Sequence, residues 1–143
     1  MTIIKKGSAI YHALGKKAKA SVSTETGALK DQPYGFNTRF EDEPGTNPEE
    51  LIAAAHASCF TMALSFALEG EGYKEGKLQT SAAVSLDKDG EGFAVSKSAL
   101  TLKAQVEGID GDEFERIAQS AKANCPISKL LNTDITLEYT LNQ

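Results

Sequence analysis

The stretch NPEELIAAAHASCFTMALSFALE, residues 47–69, decides how this chain folds. It opens as a helix start: Asn47 is a good N-cap, Pro48 fits the first helical position, where its missing N–H costs nothing, and Glu49 and Glu50 complement the positive end of the helix dipole. Beyond them almost no polar face remains, so the helix should be enclosed on most sides. A chain of 143 residues cannot easily wrap a helix completely, which leaves part of the cover to a second subunit. Residues 51–68 also reach the lower edge of membrane-spanning length. His56, Ser58, Thr61 and Ser65 interrupt that run, alanine dominates it and no other candidate span exists, so the expectation is a buried helix of a soluble protein and no membrane segment.

On the N-terminal side, KAKASVST alternates Ala18, Ala20 and Val22 with polar neighbours, and YGFNTRF alternates Phe36, Thr38 and Phe40 with Asn37 and Arg39. Both read as strands, with turns at Gly27 and over Gln32-Pro33-Tyr34-Gly35, giving an antiparallel meander. On the C-terminal side, LQTSAAVSLDKDGEGFAVSKSALTLKAQV reads as two long strands around a DKDGEG turn, with Thr80, Ala82, Val84 and Leu86 on one stripe and Leu100, Leu102, Ala104 and Val106 on the matching one. Residues 110–123 predict an amphipathic helix burying Phe114, Ile117, Ala118 and Ala121; a short helix starts at Pro126, and a final strand alternates Ile135, Leu137, Tyr139 and Leu141. No repeat is visible. The expected fold is α+β, one domain over residues 1–143, with antiparallel sheets around the long buried helix.

Composition narrows the function. Hydrophobic residues at 41% and charged residues at 24% indicate a globular protein. A net charge of −5 without a basic, aromatic-interleaved cluster argues against nucleic acid. The first twenty residues carry no signal-peptide pattern, so the expected compartment is the cytoplasm. There, two cysteines 66 positions apart are poor material for a permanent bridge, whereas a transient catalytic disulfide is compatible.

The two thiols sit in unlike settings. Cys59 lies mid-helix among alanines and is expected to be the shielded thiol, its pKa raised by desolvation unless a cation reaches it. Cys125 stands before Pro126 at a helix start, where free N–H groups and the dipole favour a thiolate, and is expected to be the accessible one. Such a pair suits peroxide reduction in which one sulfur is oxidised and the other resolves it; two inert core cysteines in a noncatalytic binding or structural dimer are the competing reading. Of the two arginines, Arg116 lies on a polar helix face, whereas Arg39, between Phe36 and Phe40, could be partly buried and held by a carboxylate. Glu49 needs no role beyond the dipole. If it serves Cys59, however, ten positions of helix put the two about 15 Å apart, and the glutamate with its arginine would come from a partner through a two-fold interface. His56 and Cys59, at i and i+3, could ligate zinc or pair as base and nucleophile. No CxxC or HxxxH accompanies them, His12 is the only other imidazole and no orienting third residue is evident, so no metal or cofactor is expected and His56 reads as a core or interface histidine.

The segments QPYGFNTRFE, GTNPEELIAAAHASCFTMALS, AVSLDK and KANCPIS resemble the OsmC/Ohr family of organic hydroperoxide reductases, on its OsmC branch, and the resemblance runs from Met1 to Gln143. It implies a stress-related antioxidant enzyme with Cys59 as peroxidatic and Cys125 as resolving residue, assisted by Arg39 and Glu49. It also implies an intertwined homodimer with active sites at the subunit interface, and a dithiol reductant such as a lipoylated protein. Phe60 and Met62 would line an apolar pocket favouring organic peroxides over hydrogen peroxide.

Overall fold

A computed structural model describes all of residues 1–143, which divide into two compact units, Met1–Leu51 and Ile52–Gln143. In the first unit, β1 (Gly7–His12), β2 (Lys19–Thr24) and β3 (Gln32–Tyr34) form an antiparallel sheet in that order. The Gln32–Tyr34 segment is therefore an edge strand and not a turn. It pairs with Ala20, Ser21 and Val22, and Pro33, which has no N–H to give a ladder, is tolerated on an edge. The meander is followed by a helix where the alternation suggested a strand: α1 spans Phe36–Phe40. Phe36 and Phe40 are also at the i, i+4 spacing of a helix face, and their ring centroids lie 5.1 Å apart. Thr38 settles the choice. Its hydroxyl accepts from the Gly35 N–H (2.8 Å) and donates to the Gly35 carbonyl (3.0 Å), closing the first turn.

The long helix α2 (Pro48–Gly70) begins at the end of this unit, and Asn47 caps it as expected, accepting from the Glu50 N–H at 2.8 Å. No residue of Met1–Leu51 is buried. A three-stranded sheet with no interior of its own must be covered by another surface to be stable.

The second unit holds the core. The hairpin of β4 (Gly76–Asp89) and β5 (Gly92–Val106) is antiparallel, and β5 is the centre of a sheet ordered β4-β5-β6. Here the expectation of purely antiparallel sheets fails: β6 (Asp134–Leu141) runs parallel to β5, Leu100 opposite Leu137 and Leu102 opposite Tyr139. The connection between them contains α3 (Gly111–Asn124) and α4 (Pro126–Leu130), long enough for the crossover that a parallel pair demands. Leu100, Leu102, Ala104 and Val106 of β5, the four anticipated residues of α3, and Phe60, Leu64 and Leu68 of α2 make one cluster. Gly76 opens β4 so close to β5 that a Cβ there would stand 2.0 Å from the Gln105 carbonyl oxygen.

Within one chain α2 buries only His56, Phe60, Leu64 and Leu68, an i, i+4 line along one side. Met62 and Phe66 are 58% and 66% exposed on another. The helix is long and apolar enough to cross a membrane by length and composition, but that one side packs it into the protein core. Phe114 is fully buried, edge-on to Tyr139 at 5.0 Å. Phe114→Ala is expected to destabilise the fold by about 3–5 kcal/mol, read as a lowered urea midpoint at unchanged slope; a midpoint near wild type would mean that α3 and the sheet are not one core.

Candidate active site

Cys59 occupies the fourth turn of α2, and Cys125 closes α3 while heading α4, with Pro126 at the first helical position. The fold makes the two free thiols neighbours, close enough for each to shift the other's pKa. Their exposure reverses the expectation. Cys125 is fully buried in the core, whereas Cys59 is only half-buried, because the α2 face that carries it is only partly covered.

Burial pushes the Cys59 pKa up, and the proton it shares with Cys125 holds it there against a weaker opposing contact from the Ile127 N–H. Burial also raises Cys125. That effect is outweighed by the Cys59 thiol, the Ser128 N–H and hydroxyl and the Ile127 N–H, so that its pKa lies below the usual thiol value. These helix-start groups act on the sulfur without closing a formed side-chain cap. In a single chain, then, Cys125 is the more acidic thiol and Cys59 keeps the proton.

In the first unit the structure joins the other two expected site residues. Arg39, in the last turn of α1, donates from Nε to Glu49 Oε1 at 2.7 Å and from Nη2 to Oε2 at 2.8 Å, a bidentate pair. Its hydrogen bonds to Glu49 raise the Arg39 pKa further above its already high value. Arg39 belongs to a helix and not a strand, which is why it can reach a carboxylate at the start of α2. The guanidinium stands 5.3 Å from the Phe40 ring centroid, beside a cleft of about 290 Å³ lined by Tyr11, Tyr34, Phe36, Phe40 and Pro48. This is the aromatic pocket of the unit. Phe60, expected in that role, is wholly within the core and lines no cleft.

His56 is fully buried one turn before Cys59, and both ring nitrogens are engaged: Nδ1 with Ser98 Oγ at 2.6 Å, Nε2 with Ser128 Oγ at 2.8 Å. Neither nitrogen is left for a metal or for a substrate proton. Ser98 and Ser128 were not legible as site residues. The signal for Ser128 was its position three residues after Cys125, where a helix-start side chain turns back toward the N-cap.

The sequence pattern of the OsmC-like protein family matches residues 40–140. The chain belongs to the OsmC family. It is 55% identical over 141 residues to peroxiredoxin OsmC of Escherichia coli, covering 99% of both chains. It is 40% identical over 98 residues to the organic hydroperoxide resistance protein OhrA of Bacillus subtilis, covering 67% of this chain and 68% of that one. The crystal structure of OhrB from Bacillus subtilis superposes with a TM-score of 0.71 at 27% identity, covering 96% of this chain and 98% of that one. An OsmC-like protein of Mycoplasma pneumoniae shares the fold with a TM-score of 0.77 over the full length of both chains, at 13% identity. The OsmC fold thus extends over the whole chain, including residues 1–39 that the family pattern leaves out.

Proposed function

We propose that the protein is a cysteine-based peroxidase that reduces organic hydroperoxides, and hydrogen peroxide more weakly, through a Cys59 sulfenic acid and a Cys59–Cys125 disulfide. The observation that carries this reading is a pair of neighbouring free thiols, Cys59 and Cys125, in an OsmC-family chain. The Cys59 thiolate attacks the outer peroxide oxygen; the O–O bond breaks, alcohol leaves with a proton and Cys59 becomes a sulfenic acid. Cys125, already the more acidic sulfur, displaces the hydroxyl group and forms the disulfide. A dithiol reductant, such as a lipoylated protein, reopens it by exchange.

The first step needs Cys59 deprotonated, against its preference in the single chain. We assign that task to Arg39, with Glu49 holding the guanidinium flat for bidentate recognition, both supplied by a second subunit. Two features support a homodimer: a first unit with no buried residue, and the exposed Met62 and Phe66 on α2. The aromatic cleft beside Arg39 suits an organic substituent on the peroxide. The 143 residues act as one functional domain, and the cytoplasm is the compartment in which a transient disulfide is renewed.

The test is a single addition of cumene hydroperoxide to reduced protein. Wild type should lose both thiols and yield the Cys59–Cys125 disulfide by peptide mapping. Cys125→Ser should stop at a Cys59 sulfenic acid trapped by dimedone; no adduct there, with wild-type turnover intact, would reduce Cys125 to a packing residue.

A further inference from the structure

Three polar side chains from three elements meet in the core: His56, one turn before Cys59 on α2, Ser98 of β5, and Ser128 of α4, three residues after the Cys125 that heads that helix. All are buried, and no buried side-chain polar atom in the molecule lacks a partner. Placing three such groups where alanine and leucine would pack is costly unless each is hydrogen-bonded, and the network satisfies that condition. It does not end at the histidine. Ser128 is also the residue whose hydroxyl and N–H act on Cys125.

We propose that His56 is a positioning residue for disulfide closure: through Ser128 it aims a hydroxyl proton at the Cys125 sulfur as that sulfur attacks the Cys59 sulfenic acid. This rests on the peroxidase reading above. The proton order follows from the chemistry of each atom. A thiolate accepts only, so Ser128 donates to Cys125; the Ser128 oxygen then accepts from His56 Nε2–H, and His56 Nδ1 accepts from the Ser98 hydroxyl. Such an arrangement requires a neutral imidazole. Burial lowers the His56 pKa, and the polar groups facing the ring are the two serine hydroxyls, with no charged side chain contributing. In closure an S–S bond forms and the S–O bond of the sulfenic acid breaks. Cys125 is oxidised, the sulfenic sulfur is reduced, and the proton given up by Cys125 leaves with the hydroxyl as water.

The test follows closure by rapid mixing of reduced protein with one equivalent of cumene hydroperoxide at several pH values, with disulfide and dimedone-trapped sulfenic acid quantified over time. Ser128→Ala removes a donor to a thiolate, so closure at neutral pH should slow by about tenfold. The pH of half-maximal closure should also rise by about one unit, because more alkali is needed to ionise Cys125. Ser128→Thr, which keeps the hydroxyl, should restore both. His56→Leu should share the defect, and the double variant should be no worse, since the two act in one chain. If His56→Leu does not fold, the Ser128 pair decides alone. A wild-type pH profile in Ser128→Ala, or slowed closure with an unshifted profile, makes the network packing only and overturns the inference. Wild type that forms no Cys59–Cys125 disulfide overturns the peroxidase reading and this inference together.

Discussion

Cys59→Ser is expected to lose turnover of cumene hydroperoxide with a dithiol by on the order of a thousandfold or more, since a serine cannot form the sulfenic acid. The competing candidate within the chain is Cys125, the more acidic thiol. It is wholly buried, however, while Cys59 is partly open to solvent. Acidity and access therefore point to different sulfurs, and the substitution decides between them. Steady-state rates of both serine variants, at matched unfolding midpoints, measure this. Full activity in Cys59→Ser would give the attack to Cys125.

The second large effect concerns Arg39. Arg39→Ala removes the bidentate pair with Glu49 and should lower kcat/KM by about a hundredfold, the size of a charged hydrogen-bonded contact. Arg39→Lys should recover little, because an ammonium cannot make the planar two-point pair. The informative experiment mixes two inactive variants. In a two-fold dimer whose site takes Arg39 from one chain and Cys59 from the other, equal amounts of Cys59→Ser and Arg39→Ala should unfold and refold together to about a quarter of wild-type activity. Half the dimers are then mixed, and each mixed dimer has one complete site. Recovery near zero after proven exchange of subunits would place both residues of a site in the same chain.

Much of the second unit was legible because its signals are local. The four apolar positions of α3 and the stripe Leu100, Leu102, Ala104 and Val106 follow from periods of 3.6 and 2 that need no knowledge of neighbours. The Asn47 cap and the Pro126 start were likewise readable from residue type alone. The direction of β6 was not, because parallel or antiparallel pairing depends on where the α3–α4 crossover returns the chain. Residues 36–40 satisfied both periods at once, and a hydroxyl contact between Thr38 and Gly35 chose the helix. At the site, the pairing of Arg39 with Glu49 is expected from the family resemblance, and the structure has it in bidentate form. The exposures of the two cysteines run opposite to what their sequence settings suggest, because which face of a helix is covered is a tertiary property. Ser98 belongs to no pattern and Ser128 only to its spacing from Cys125; both acquire meaning once His56 is seen between them.

Burial, with Cys125 beside it, holds the Cys59 pKa up in the single chain, and under the proposed mechanism that would act as a safety catch. A sulfur that stays protonated is a slow nucleophile and a poor target for irreversible oxidation to sulfinic acid. In the proposed assembly the arginine arrives with the partner, so reactivity is acquired at the moment of association. A newly made chain that has not yet found its partner would pass through an oxidising cell with its attacking sulfur unarmed.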